Sequence, residues 1–441
     1  MNQELFETSP PKKLFIKLTI PSLISMLFSS IYMIVDGMFV GTLIGSKALA
    51  SINLVFPIIM IIFALGDMIA SGASVKIGIK LGEKKEDEAS NIFTVAFLLM
   101  LIIDIIFMIL SLVFAKDIIF LLIKDNQLAQ LSYKFAYVFI ISMPIIAPFF
   151  ALDNYLRLCG KANMSMLVNI AVSLLNIILD AIFIVYLKLG IEYAALASVL
   201  SMSMGTIICL YPFIVKKVSL KFTKPKINIK EILQIIYNGS SEFFSNISAS
   251  IMSIITNGFL LHYGGSVGIA AFSIVMYIDS LISPLLFAMI DSIIPVISYN
   301  YGAKNYKRIN TFFKMTCVVG FSISIATIII IFLIPDLLIS LFSSKSDFAI
   351  INMSKIALFL SAPSYLFTWF IMTIGSFLTG LEKSTESIIL MLVESVILPL
   401  ILIVILTKIF GVYGIFITPS ISGLISVVIA FILWKKYNTL R

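Results

Sequence analysis

Residues 216–230 read KKVSLKFTKPKINIK, the longest polar stretch of this 441-residue chain. It is basic, contains a proline and lies near the middle of the sequence. Elsewhere the chain is strongly apolar: 60% of its residues are hydrophobic and 12% are charged, whereas soluble domains carry roughly 25% charged residues. The apolar runs are long and do not alternate, so they predict membrane-spanning helices of about 20 residues rather than strands. We therefore predict an all-α integral membrane protein.

The apolar runs lie in two equal sets, six before the polar stretch and six after it. They predict twelve transmembrane helices in two six-helix bundles, with an N-terminal lobe at 1–215, a cytoplasmic linker at 216–230 and a C-terminal lobe at 231–441. The runs are 14–40, 48–74, 91–115, 132–155, 163–187, 192–216, 232–261, 267–295, 311–335, 354–379, 386–408 and 411–434.

The two halves resemble each other when they are shifted by about 220 residues. One register joins glycines in several loops, which isolated chance matches would not do. Because six is an even number, a duplicated six-helix unit keeps its orientation and gives a parallel, pseudo-symmetric repeat. The matched glycines are Gly45 and Gly265, Gly82 and Gly302, and Gly160 and Gly380.

The positive charges divide unequally between the two sets of loops. Of the 31 Lys and Arg residues, 23 lie at the termini, in the linker and in the loops that follow even-numbered segments, and 8 lie in the other loops. The positive-inside rule places the richer side in the cytoplasm. We therefore expect both termini to be cytoplasmic and the protein to reside in the cytoplasmic (plasma) membrane. A basic face toward anionic lipid also explains the net charge of +8 without a nucleic-acid partner.

Two polar residues interrupt an apolar run at residues 173–185, SLLNIILDAIFIV. Asn176 and Asp180 are four residues apart, so they share one helix face. A carboxylate at a helix centre costs at least about 2.5 kcal/mol on insertion scales, so we expect a function for it. Carboxylate and amide oxygens suit Na⁺, and a buried carboxyl group can instead carry H⁺. At offset 220 their counterparts are Val396 and Leu400, so the pair is an addition to the repeated scaffold.

Asp36 is the second candidate acid at membrane depth. It lies in SSIYMIVDGMFVG, and its counterpart at offset 220 is Thr256. Pro21 lies 15 residues earlier, where a missing hydrogen bond lets a helix bend, so we interpret this helix as a moving part.

Further acids are assigned weaker roles. Glu242 and Glu394 are candidate polar sites of the C-terminal lobe, and neither is retained in the other half. For the remaining acids the favoured explanation is a position near a helix end, where capping or snorkelling lowers the cost of burial. These acids are Asp67, Asp104, Asp153, Asp279 and Asp291.

Cysteine and histidine usage argues against catalysis. The three cysteines and the single His262 are scattered, with no metal-ligand or disulfide spacing. An intramembrane enzyme would need a nucleophile with a base, or a metal pair, so it is a remote alternative. We expect no cofactor and no metal beyond a coupling ion.

Several motifs together resemble the multidrug and toxic compound extrusion (MATE) family. They are IYMIVDGMFVGTLIGSKALASINLVFP, GASVKIGIKLGEKK, RLCGKANMSMLVNIAVSLLNIILDAIFI and YAALASVLS, and the likeness covers nearly the whole chain. The resemblance implies a monomeric antiporter that exports lipophilic or cationic organic compounds in exchange for H⁺ or Na⁺. It implies a cation site at Asp36, Asn176, Asp180 and Ser198, with Pro21 in the bending helix.

Other functions on the same architecture stay open. A flippase for lipids or lipid-linked oligosaccharides shares the fold, and it would show no drug-dependent ion flux. A channel is also conceivable, but repeated halves around a buried acid site favour alternating access. The sequence decides neither the transported compound nor the choice between H⁺ and Na⁺.

Overall fold

The computed structural model describes residues 4–340 and 348–438, and all regular structure in these ranges is helical. We number the membrane helices in chain order; α7 and α8 are the two parts of one run, Ile229–Asp291. The others are α1 Pro11–Ile44, α2 Ser46–Gly82, α3 Glu86–Leu122, α4 Asn126–Leu158, α5 Ala162–Tyr186, α6 Ile191–Ile214, α9 Tyr306–Leu333, α10 Phe348–Gly380, α11 Ser384–Phe410 and α12 Val412–Asn438. Short helices lie at Glu4–Thr8, Ile294–Gly302 and Pro335–Ser340.

The break between α7 and α8 is at Gly265, whose backbone is non-helical (φ 56°, ψ −156°). A positive φ favours glycine because it has no Cβ to clash with its own backbone. Counting this break, the apolar helices of the described residues are twelve, so the predicted all-α, twelve-helix membrane fold is confirmed. Lys345 and Arg441, two of the charges used for orientation, lie outside the described residues.

The backbone repeats with the sequence. Gly45 and Gly265 both have positive φ values, 126° and 56°, and so do Lys84 and Lys304, at 62° and 57°. Both pairs are separated by the predicted 220 residues. A positive φ is sterically unfavourable for lysine. Its presence at the same place in both halves therefore indicates the same tight turn rather than a chance likeness.

The register changes later in the chain, which corrects one predicted match. The positive-φ residue after α4 is Gly160, but the equivalent residue after α10 is Glu382 (φ 72° and 58°), not Gly380. The offset is therefore 222 at this point. The counterparts of Asn176 and Asp180 become Leu398 and Leu402, which are again apolar.

The contacts divide the chain into two compact units. Unit 1 contains Met1–Phe243 with Ser298–Ala303, and unit 2 contains Phe244–Ile297 with Lys304–Arg441. The start of α7 belongs to unit 1 because it packs tightly on α2: a Cβ added to Gly72 would lie 1.9 Å from the carbonyl oxygen of Ile235. The lobe limits predicted from sequence, 1–215, 216–230 and 231–441, stay a prediction.

The linker at 216–230 is attached to α3 within unit 1. The side-chain amide of Asn91 makes two hydrogen bonds to the backbone of Lys226. It accepts from the N–H at 2.7 Å and donates to the carbonyl at 3.1 Å. The N–H of Thr223 donates to Thr94 Oγ1 at 3.1 Å, and Phe222 packs on Phe93 with ring centroids 4.9 Å apart. The linker is therefore an ordered strap on unit 1.

Candidate functional site

Asn176 and Asp180 lie on the inward face of α5 and are 1% and 0% exposed. The α-helical part of α5 ends at Asp180, and a π-helical turn follows at Ala181–Tyr186. Such a turn shifts the following side chains around the helix axis, and π-bulges occur frequently at functional sites. The predicted shared face is therefore present, next to a local irregularity.

The amide of Asn176 connects Asp180 to α6. When its nitrogen donates to Asp180 Oδ2 at 3.2 Å, its oxygen accepts from both the hydroxyl and the backbone N–H of Ser198, at 3.0 Å and 3.2 Å. This orientation satisfies both ends of the amide. Asn176, Asp180 and Ser198 therefore form one hydrogen-bonded group across two helices.

Asp36 completes this group from α1. Its carboxyl group lies close enough to that of Asp180 for the two side chains to interact directly. Two carboxylates are both acceptors only, so a hydrogen bond between them requires one proton on the pair. The other oxygens, Asp36 Oδ1 and Asp180 Oδ1, are buried and have no hydrogen-bond partner among the described residues. The pair can thus hold a proton, and its free oxygens are available to a small cation.

The site therefore brings together all four residues of the predicted cation site, which come from α1, α5 and α6. Tyr32 is a further neighbour, because it interacts electrostatically with both Asp36 and Asp180. The sequence places Tyr32 one helical turn before Asp36, and this spacing is the signal that could have added it to the site.

Pro21 is buried within α1, which runs as one helix through it. As proline has no N–H, the carbonyl of Lys17 loses its usual helical donor. Nearby hydroxyls cap other carbonyls of this stretch: Ser25 donates to the carbonyl of Pro21 at 2.9 Å, and Ser22 to that of Leu18 at 3.2 Å. The weak point predicted in α1 is thus present, while its bending stays a prediction.

The remaining acids differ from one another. Asp153 is paired as expected near the end of α4: Arg157 forms an ion pair with it, while Ser165 and Asn169 donate to Oδ1 at 2.5 Å and 2.9 Å. The expectation of a helix-end position is wrong for Asp279, which lies in the interior of α8, and for Asp104. This residue is 0% exposed in the middle of α3, and neither carboxyl oxygen has a hydrogen-bond partner in residues 4–340 and 348–438.

The two acids suggested for the C-terminal lobe lie in different units. Glu242 is on α7 within unit 1, whereas Glu394 lies in a π-helical turn of α11, Val393–Ile397, within unit 2. Their participation in transport stays a prediction. Across residues 4–340 and 348–438, no group of three or more His, Cys, Asp or Glu side chains is arranged to hold a metal ion.

A twelve-helix membrane protein with an internal repeat and a buried acid pair has the architecture of a secondary transporter. The family model MatE matches residues 21–182 and again residues 243–405, which together exceed half of the chain. The chain therefore belongs to the MatE family, the MATE multidrug efflux transporters, and it is a multi-pass membrane transporter rather than an enzyme. The double match also reproduces the internal repeat.

Curated relatives agree with this family. The chain is 27% identical over 442 residues to the multidrug export protein MepA of Staphylococcus aureus (strain MSSA476), covering 97% of this chain and 95% of that one. It is equally similar, over 444 residues, to the protein of the same name from Staphylococcus saprophyticus, with the same coverage of both chains.

Solved structures share the fold over the full length. A MATE crystal structure in complex with MaL6 matches with a TM-score of 0.94 at 25% identity, covering 99% of this chain and 98% of the other. An outward-facing multidrug resistance MATE transporter of the MOP superfamily also gives 0.94, at 26% identity and with 100% and 98% coverage. A MOP superfamily transporter from Pyrococcus furiosus, described as having a binding pocket of reverse polarity that suggests a different function, gives 0.93 at 25% identity, with 99% and 98% coverage.

Proposed function

We propose that this protein is a secondary active antiporter that exports lipophilic and cationic organic compounds in exchange for H⁺ or Na⁺. It works by alternating access as a monomer in the plasma membrane, with both termini in the cytoplasm. The observation that carries the proposal is the contact between the Asp36 and Asp180 carboxyl groups, bound to Ser198 through Asn176. The drug-export relatives support the class of substrate.

The acid pair provides a physical basis for ion coupling. With one proton the two carboxyls attract each other, and without it two negative charges face each other in a medium of low dielectric constant. A cation arriving from outside restores the attraction and favours the conformation in which the pair is closed. An ion can shift the conformational equilibrium only by its difference in affinity between the two states. The coupling therefore arises from the change between repulsion and attraction of the two carboxyl groups when the ion binds.

Two features of the site bear on the identity of the ion. The nearness of the Asp36 and Asp180 carboxyl groups supports H⁺, because two carboxyls hydrogen-bond to each other only when they share a proton. The unpartnered Oδ1 atoms, with Asn176 and Ser198 nearby, supply oxygens that Na⁺ would also use. Efflux driven by a pH gradient alone, compared with efflux driven by a sodium gradient alone, separates the two ions.

The proposal predicts that Asp36→Asn and Asp180→Asn each abolish gradient-driven ethidium efflux from membrane vesicles. Each change leaves a neutral side chain of the same shape, so the site persists but no longer changes charge with the ion. The control is Asp87→Asn, a highly exposed acid whose Lys221 partner is 3.5 Å away, and it should retain full activity.

Full efflux in both site variants would contradict the assignment. A purified protein that moves a lipid-linked sugar and leaves ethidium untouched would instead favour the flippase alternative.

A further inference from the structure

A second polar group at membrane depth lies in unit 2, around Asp279 of α8. Oδ1 of Asp279 accepts two hydrogen bonds of 2.7 Å each, from the hydroxyl of Ser283 one turn along α8 and from the phenolic hydroxyl of Tyr365 on α10. Tyr365 is 7% exposed and belongs to the apolar core of unit 2, whereas Asp279 is half-buried. The carboxyl group is thus fixed through one oxygen.

The other oxygen has no partner. Within the described part of the chain, no hydrogen bond or ion pair reaches Asp279 Oδ2. The two helices that carry this group supply no cation near it, because the sequence has no Lys or Arg in 265–291 of α8 or in 356–380 of α10. Ionisable side chains at this depth almost always face the bundle interior or a water-filled cavity rather than lipid. Asp279 is therefore a positioned acid without a counter-charge.

Both helices are irregular beside this acid. Pro284 has no N–H, so the carbonyl of Ser280 lacks its helical donor directly next to Asp279. Helix α10 narrows to a 3₁₀ turn at Ala362–Ser364, immediately before Tyr365. Interrupted helices near the bilayer midplane are where transporters build their binding sites.

The repeat shows that the fold does not need this group. At offset 220, Asp279 and Ser283 correspond to Ile59 and Phe63, and Ile59 is a core residue that is 3% exposed. Tyr365 corresponds to Met143 or Ile145, depending on the register, and both are apolar. All three polar residues are therefore additions confined to one half, just as Asn176 and Asp180 are additions to the other.

We propose that Asp279 binds the positive charge of a lipophilic organic cation, with Tyr365 and Ser283 holding its carboxylate in place. This inference rests on the proposed export function and assigns it a substrate-binding residue. An inorganic ion fits less well, because hard cations are held by about six or more oxygens, and Oδ1 of Asp279 already accepts from Ser283 and Tyr365. An organic cation needs a single opposite charge and an apolar surround, and the core of unit 2 provides the latter.

The test uses purified full-length protein and two probes of similar size, tetraphenylphosphonium as the cation and triphenylphosphine oxide as the neutral compound. Asp279→Asn should weaken binding of the cation by about tenfold or more and leave the neutral compound unaffected. Tyr365→Phe, at a positioning residue, should weaken only the cation, by about fivefold. Asp336→Asn is the matched control, because that exposed acid of the same unit pairs with Lys355 at 3.0 Å.

Four results would overturn the inference. If folded Asp279→Asn binds the cation as well as the wild type does, Asp279 is not a substrate-binding residue. The export function is then still supported if the wild type exports ethidium. Equal loss of both probes indicates a structural role for Asp279. Loss of sodium binding with intact binding of the cation assigns Asp279 to the coupling ion. A wild-type protein that neither binds tetraphenylphosphonium nor exports ethidium removes the site and the export function together.

Discussion

At the scale of single residues, Asn176 is the centre of the ion site. Its amide reaches Asp180 on the same helix and Ser198, 22 residues later, on the next one. The first contact follows from the i,i+4 spacing and could be predicted from sequence. The contacts that Ser198 and Asp36 make in the site depend on how three helices pack, which spacing does not encode. Asp36 is a candidate from sequence as an acid at membrane depth, whereas only the family resemblance indicates Ser198. Tyr32 lies one helical turn before Asp36, so spacing alone could have added it to the site.

Ser198→Ala should raise the ion concentration that gives half-maximal efflux by about fivefold, since one hydrogen bond is worth about 1 kcal/mol. The backbone N–H of Ser198 still donates to Asn176, so activity persists at saturating ion. Ser198→Thr keeps the hydroxyl and should behave as the wild type.

Ser203→Ala is the control for this change, because the Ser203 hydroxyl donates at 2.7 Å to Val199 of its own helix and lies outside the site. An ion dependence that is identical in Ser198→Ala and the wild type would remove Ser198 from the site.

At the scale of elements, hydropathy predicts which segments are helices better than where they end. The predicted segment 48–74 is the helix Ser46–Gly82, because the helix continues past the apolar core while apolar composition reports only the bilayer thickness. The π-helical turns after Phe39 and Asp180 leave no signal in composition. Sequence therefore identified the helices that form the site but not the irregular turns beside its acids.

Gly265→Ala should destabilise the protein by about 1–2 kcal/mol, because alanine is strained at a φ of 56°. No atom of the described part of the chain lies within 4 Å of a Cβ at this position, so the cost comes from the backbone alone. The measurement is the midpoint of thermal unfolding in detergent.

Gly258→Ala on α7 is the matched control, because its added Cβ also meets nothing within 4 Å and its backbone is helical. That change should be neutral or stabilise by up to about 1 kcal/mol. Equal midpoints for the two variants would mean that Gly265 does not form the break between α7 and α8.

At the scale of the whole molecule, the repeat separates scaffold from function. The turns at Gly45 and Gly265 and at Lys84 and Lys304 are common to both halves, so the duplicated fold could be recognised from sequence. The acid groups are confined to one half each: Asp36 and Asp180 lie in unit 1 and Asp279 lies in unit 2. The two extra residues that change the offset from 220 to 222 could not be recognised from the sequence, because a single offset matches glycines on both sides of them.

The central claim is that Asp36 and Asp180 bind the ion that drives export, and ion release on substrate binding tests it most directly. Tetraphenylphosphonium is added to purified protein in weakly buffered solution, and a pH electrode and a sodium electrode record the ion displaced. We expect the wild type to release one of the two ions and Asp36→Asn and Asp180→Asn to release neither. Release from both variants equal to that from the wild type would contradict the account.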